Sequence, residues 1–234
     1  IVVALWLFWF LRGDWREGRR WAQHFVARRN ACSPALRGRL LHVAASFCFF
    51  RGDFEQAQAF TEEGLALSEA EGDRWWRVIA VHHLGLLRLQ AGADEDAEML
   101  LTKALQQARD QQDKWLTAVI LNDLCVLHLA RRDVTRAVAF YEEGVEVMEK
   151  SGELCFSALR ELNVATCLLQ LGEHERAKTV YERCLSRLQQ IPYKQGLAGV
   201  HVGLARIAIF EGQCRYAGRL ARKALALNSE LGHT

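Results

Sequence analysis

The side chains that could do chemistry fall into no catalytic pattern. The sequence holds no G-x-x-x-x-G-K-[ST], G-x-S-x-G or H-E-x-x-H signature, so a phosphate cradle, a nucleophile elbow and a zinc-protease helix are not expected. A polar ladder recurs instead. His83, Asp123 and Asn163 occupy one place at forty-residue steps, and His42, His82 and Asn122 form the row beside them. Ser46, Thr166 and Arg206 complete the candidate set. A packed helix would keep such places apolar, because an unpaired buried polar group costs about 1–3 kcal/mol. The run therefore calls for partners, either one another across neighbouring helices or a bound molecule. His82 and His83 are adjacent and point to different faces of a helix, so a metal site is not expected.

The ladder is positioned by an internal repeat. Gly13, Gly52, Gly92, Gly172 and Gly212 mark one series, with Arg132 in the place of the missing glycine. Five residues after each comes a small residue: Gly18, Ala57, Ala97, Ala137, Ala177 and Ala217. A second small position follows at Gly64, Ala104, Gly144, Cys184 and Ala224. A second turn closes each unit at Gly72-Asp73, Gln112-Asp113, Gly152-Glu153, Pro192-Tyr193 and Gly232-His233. Glycine after the last apolar residue is a helix C-cap, because its left-handed geometry carries no steric cost. The acidic residues beyond it favour the start of the next helix. The small residues let two helices approach closely. Each unit thus reads as helix A, turn, helix B, turn, and one hairpin alone cannot bury both its faces.

Composition agrees with an all-α chain. Half of the 234 residues are hydrophobic and only Pro34 and Pro192 are proline, too few to punctuate a β-sandwich. The net charge of +2 is unevenly spread: residues 1–40 carry eight arginines against Asp14 and Glu17. A nucleic-acid surface would be denser in basic residues, so direct nucleic-acid contact is not expected. The seven cysteines are odd in number and form no C-x-x-C pair. They read as small hydrophobes of a reducing, cytoplasmic protein. The apolar opening Ile1–Leu11 is too short to span a bilayer. It is expected to be the first helix of the array in a longer protein, and no membrane partner is expected.

These units resemble tetratricopeptide repeats. The third supplies Gly85, Gly92, Ala97 and Ala104 in register, the second Ala45, Gly52-Asp53, Ala57 and Gly64, the fifth Ala165, Gly172-Glu173, Ala177 and Cys184, and the sixth Ala205, Gly212, Ala217 and Ala224. The unit is near forty residues instead of 34, and the usual closing proline is missing. This longer variant is similar to the carboxy-terminal arrays of bacterial signal-transduction ATPases. These include the maltotriose-responsive activator type, the large LuxR-type activators and antibiotic regulators with an NB-ARC ATPase. The Trp-rich opening ALWLFWFLRGDWREGRRW and the phrase EEGLALSEAEGDRW carry that likeness. The resemblance implies that helix A lines a concave groove, and that the array senses a ligand beside an ATPase domain in a transcriptional regulator.

The expected architecture is one right-handed α-α superhelix, a solenoid of about six hairpins over residues 1–234. Its units fall near 1–33, 34–72, 73–112, 113–152, 153–192 and 193–234. The expected function is binding of a protein, a peptide or a small-molecule effector, with no enzymatic activity and no cofactor. The alternative to the regulator is a free-standing adaptor that holds a peptide or helix of a partner.

Overall fold

The computed structural model describes residues 15–149, 154–190 and 193–230, together with Val3 and Leu5. These residues are helical, with no strand among them. Helix α1 is Trp15–Val26, and a 3-10 turn at Arg29–Ala31 follows it. Five hairpins come next. Their A helices are α2 (Pro34–Phe50), α4 (Arg74–Gln90), α6 (Lys114–Ala130), α8 (Leu154–Gln170) and α10 (Lys194–Phe210). Their B helices are α3 (Phe54–Ala70), α5 (Asp94–Asp110), α7 (Val134–Glu149), α9 (His174–Leu188) and α11 (Cys214–Glu230). Most of the expected opening helix, and the turns at Gly13, Gly152, Pro192 and Gly232, lie outside the described residues.

The turns are where the sequence acts most directly. Gly52, Gly92, Gly172 and Gly212 all take positive φ, between 73° and 83°. Beyond each, the next backbone N–H reaches back to a carbonyl near the helix end, as Asp53 does to Cys48 at 3.0 Å and Gln213 to Ala208 at 2.8 Å. This satisfies helix-end carbonyls that would otherwise lack partners. Arg132 adopts the same geometry at φ 61° and Gln112 at 56°, so the two missing glycines are replaced in kind. Some helix starts are capped by side chains: Asp133 accepts from Arg136 N at 3.2 Å and Ser33 from Leu36 N at 3.4 Å, with Pro34 in the first helical turn.

Two compact units divide the chain, residues 1–113 and 114–234. The same packing rule operates inside each. An A helix touches the next A helix, and a B helix packs on its own A helix and on the A helix that follows. The expected small residues sit at these crossings, with Ala57, Ala97, Ala137, Ala177 and Ala217 all buried. Gly64 shows why: a Cβ there would lie 2.7 Å from the His42 ring. Among the described residues no disulfide forms. Cys125 and Cys184 are buried, and desolvation pushes both thiols up to about 12. Among the described residues no helix is long and apolar enough to cross a membrane.

Candidate functional site

The polar ladder is built differently in the two units. In the first, α2 and α4 lie side by side and carry His42, Ser46, His82 and His83. His42 is fully buried. Its Nε2 lies 3.0 Å from Ser68 Oγ on α3, its ring stacks on Trp76 at 5.7 Å and 4°, and Gly64 leaves the space it fills. Desolvation lowers its pKa to about 4, against smaller opposing effects of the Gly64 backbone and the Asp73 charge. Ser46 Oγ donates to the His42 carbonyl at 3.1 Å and lies 3.2 Å from His83 Nε2. His82 is buried, with its ring 5.8 Å from that of His83. Burial first, and then His82 and His42, hold His83 well below the usual imidazole range. His42 and His83 are thus held as neutral imidazoles, and the cluster joins α2 to α3 and α2 to α4.

In the second unit the ladder opens to solvent. Asn122 and Asp123 on α6 are half-buried, and Asn122 Nδ2 donates to Asp123 Oδ1 at 3.3 Å. Thr166 on α8 donates to the Leu162 carbonyl at 2.7 Å and meets Tyr181 Oη of α9 at 3.1 Å. Burial pushes the Tyr181 phenol up, while the Thr166 hydrogen bond and the Arg206 charge pull it the other way. Asn163, one turn before Thr166, is exposed, and so is Arg206 on α10. An amide and a guanidinium are thus presented from two A helices in contact. Among the described residues no group of three or more His, Cys, Asp or Glu side chains could hold a metal ion.

The structure also holds a polar centre outside the ladder. Glu161 is completely buried, with Arg183 Nε at 3.1 Å and Arg187 Nε at 3.2 Å. Tyr141 Oη donates to the same carboxylate at 3.4 Å and accepts from Arg183, whose guanidinium also lies 5.1 Å from the Tyr141 ring. This network ties α7, α8 and α9 together. Its sequence signal is a departure: the row Leu41, Val81, Leu121 continues as Glu161 and His201. A carboxylate in an apolar row needs cations, and Arg183 and Arg187 stand one turn apart on α9.

Comparison with known proteins supports the fold. A tetratricopeptide-repeat family model matches residues 162–187. The chain is 25% identical over 152 residues to the 43 kDa receptor-associated protein of the synapse of Tetronarce californica. That match covers 64% of this chain and 37% of the relative, so the chain spans well under half of that relative's length. Among solved structures it resembles BtubC from P. vanneervenii, with TM-score 0.73, 19% identity, and 96% and 90% of the two chains covered. It also resembles a Rap protein complexed with competence and sporulation factor, with TM-score 0.78, 11% identity, and 97% and 74% covered. NprR in complex with its cognate peptide NprX gives TM-score 0.68, 12% identity, and 98% and 66% covered. The chain is an all-α, tetratricopeptide-like helical solenoid carrying an array of such repeats.

Proposed function

We propose that this chain is a binding scaffold that grips a peptide or a helix of a partner protein on the A-helix face of its second unit. The observation that carries this reading is the exposure of Asn163 and Arg206 on neighbouring helices, beside a ladder whose other members have partners inside the protein. An amide both donates and accepts and so matches a peptide backbone unit, while a guanidinium takes a carbonyl or carboxylate in a planar fork. Thr166 and Tyr181 hold the surface between them. The first unit's histidines fix helix spacing. Support comes from two proteins of similar fold that were solved with a bound factor or peptide. Panning the chain against a display library of random peptides should enrich binders. Asn163→Ala and Arg206→Ala should abolish their binding and leave the melting temperature in place, since both side chains are exposed. If nothing is enriched, or the two variants bind as well as the parent, the reading fails.

A narrower reading places the array in a multidomain regulator of the signal-transduction ATPase type, sensing a peptide or small-molecule effector. The Trp-rich opening and the EEGLALSEAEGDRW phrase favour it. A gene encoding a phosphate-binding loop upstream of this segment, with ligand affinity that depends on ATP, is the expected finding; an upstream sequence without that loop leaves the free-standing adaptor.

A further inference from the structure

The first unit holds a cavity of about 340 Å³ between α1, α2 and α3. Two undersized side chains open it. Ala22 of α1 stands where the next four B helices carry Thr61, Leu101, Tyr141 and Tyr181. Ala44 of α2 stands where the next four A helices carry Leu84, Leu124, Val164 and Leu204. Tyr141 and Tyr181 are buried at the one place, and Leu124 and Val164 at the other. With alanine at both, the space between the helices is left unfilled. Val26 and Phe47 are buried beside the two alanines and complete an apolar floor.

The rim is polar. Gln23, Arg51, Asp53 and Gln56 line it, and all four are exposed. Among the described residues none of these side chains has a hydrogen bond or an ion pair. That sets them apart from similar residues nearby. The two arginines of α2, Arg37 and Arg39, are paired with Glu63 and Asp73. Asp133, at the place of Asp53 in a later turn, caps its helix by accepting from Arg136 N at 3.2 Å, whereas the Asp53 carboxylate makes no such bond to α3. A guanidinium and a carboxylate thus stand beside an apolar hole, on either side of the turn at Gly52.

We propose that this cavity is a binding site for a small zwitterion with an apolar body, of the class of the free apolar α-amino acids. The body lies on Ala22, Val26, Ala44 and Phe47. The carboxylate takes the planar fork of Arg51, the ammonium meets Asp53, and the amides of Gln23 and Gln56 bond what the two charges leave open. Small-molecule sites occupy about 300–1,000 Å³, apolar within and with a few placed polar groups. The cavity lies at the lower end of that range, and a helix, about 10–12 Å across with its side chains, does not enter it. A ligand with one charge alone would set that charge near a like one at the rim. The site belongs to the first unit and does not rest on the role of Asn163 and Arg206.

The test is calorimetric titration of the full chain with L-leucine, L-phenylalanine and L-tryptophan. Each is run beside the amine that lacks its carboxylate and the acid that lacks its ammonium, with glycine as the probe without a body. The best-bound amino acid should exceed both its analogues, and glycine, at least tenfold. Ala44→Leu, which restores the side chain of later hairpins, should abolish binding without lowering the melting temperature. Arg51→Gln and Asp53→Asn should each weaken binding at least tenfold with an unchanged melting curve, while Met99→Asp, a 63% exposed site on α5, should not. Should Ala44→Leu unfold the chain, the Arg51 and Asp53 variants still decide. Absence of binding by all three amino acids, an analogue that binds as tightly as its amino acid, or full binding by both charge variants would overturn the proposal.

Discussion

His42 is the residue whose environment most constrains it. Its ring is enclosed by Trp76, Ser68 and Gly64, and burial holds its pKa near 4 against an ordinary value of 6.5. The folded protein therefore resists protonating it, whereas the unfolded chain does not. Stability contributed by the neutral ring is present above pH 6.5 and is lost as pH falls from there towards 4. A displacement of this size corresponds to about 3 kcal/mol across the window. His83, depressed in the same direction, steepens the loss. Urea titrations between pH 7 and pH 4.5 should show the midpoint falling, and His42→Gln should flatten that dependence. A midpoint that holds steady in the parent would mean the ring is hydrated. Asn163 belongs to the opposite kind of residue, free to be changed without cost to the fold.

Helices meet here through paired sizes, and two glycines of the α10–α11 hairpin show it with opposite signs. A Cβ on Gly203 would lie 2.1 Å from Tyr181 Cζ, and Tyr181 is itself buried. Gly203→Ala should destabilise by about 1–3 kcal/mol, the ordinary cost of overpacking. Gly218, in the exposed middle of α11, has nothing within 4 Å of that position. Gly218→Ala should stabilise by about 0.5–1 kcal/mol through helix propensity. Thermal melts of the two variants should move in opposite directions. The helices and their turns could be read from the sequence because glycine, acidic residue and alanine recur at fixed offsets, each tied to local backbone geometry. The state of each ladder member could not. Whether His42 or Thr166 is satisfied depends on Ser68 and Tyr181, which sit on B helices outside the row being read. Glu161 was hidden for the same reason, since its arginines come from a different helix and only packing brings them to it.

For the molecule as a whole, contacts stay close in sequence. The described side-chain hydrogen bonds join residues no more than 42 apart, as between Arg160 and the Ala118 carbonyl. Every such contact lies within a hairpin or between one and the next, so little loop entropy is lost before packing begins. Chains of this kind fold in about microseconds to milliseconds. Stopped-flow refolding from urea, followed by the tryptophans, should be dominated by a phase of that speed; a main phase of seconds would show that distant pairing limits assembly. The match between Tyr181 and Gly203 has a further consequence, which concerns the order of the hairpins. At the place of Gly203 the other A helices hold Val43, His83, Asp123 and Asn163. A hairpin set behind α9 with one of those side chains would meet the Tyr181 ring in its present position. The repeats are thus keyed to their neighbours, and the order of the hairpins is written into the sizes of single side chains.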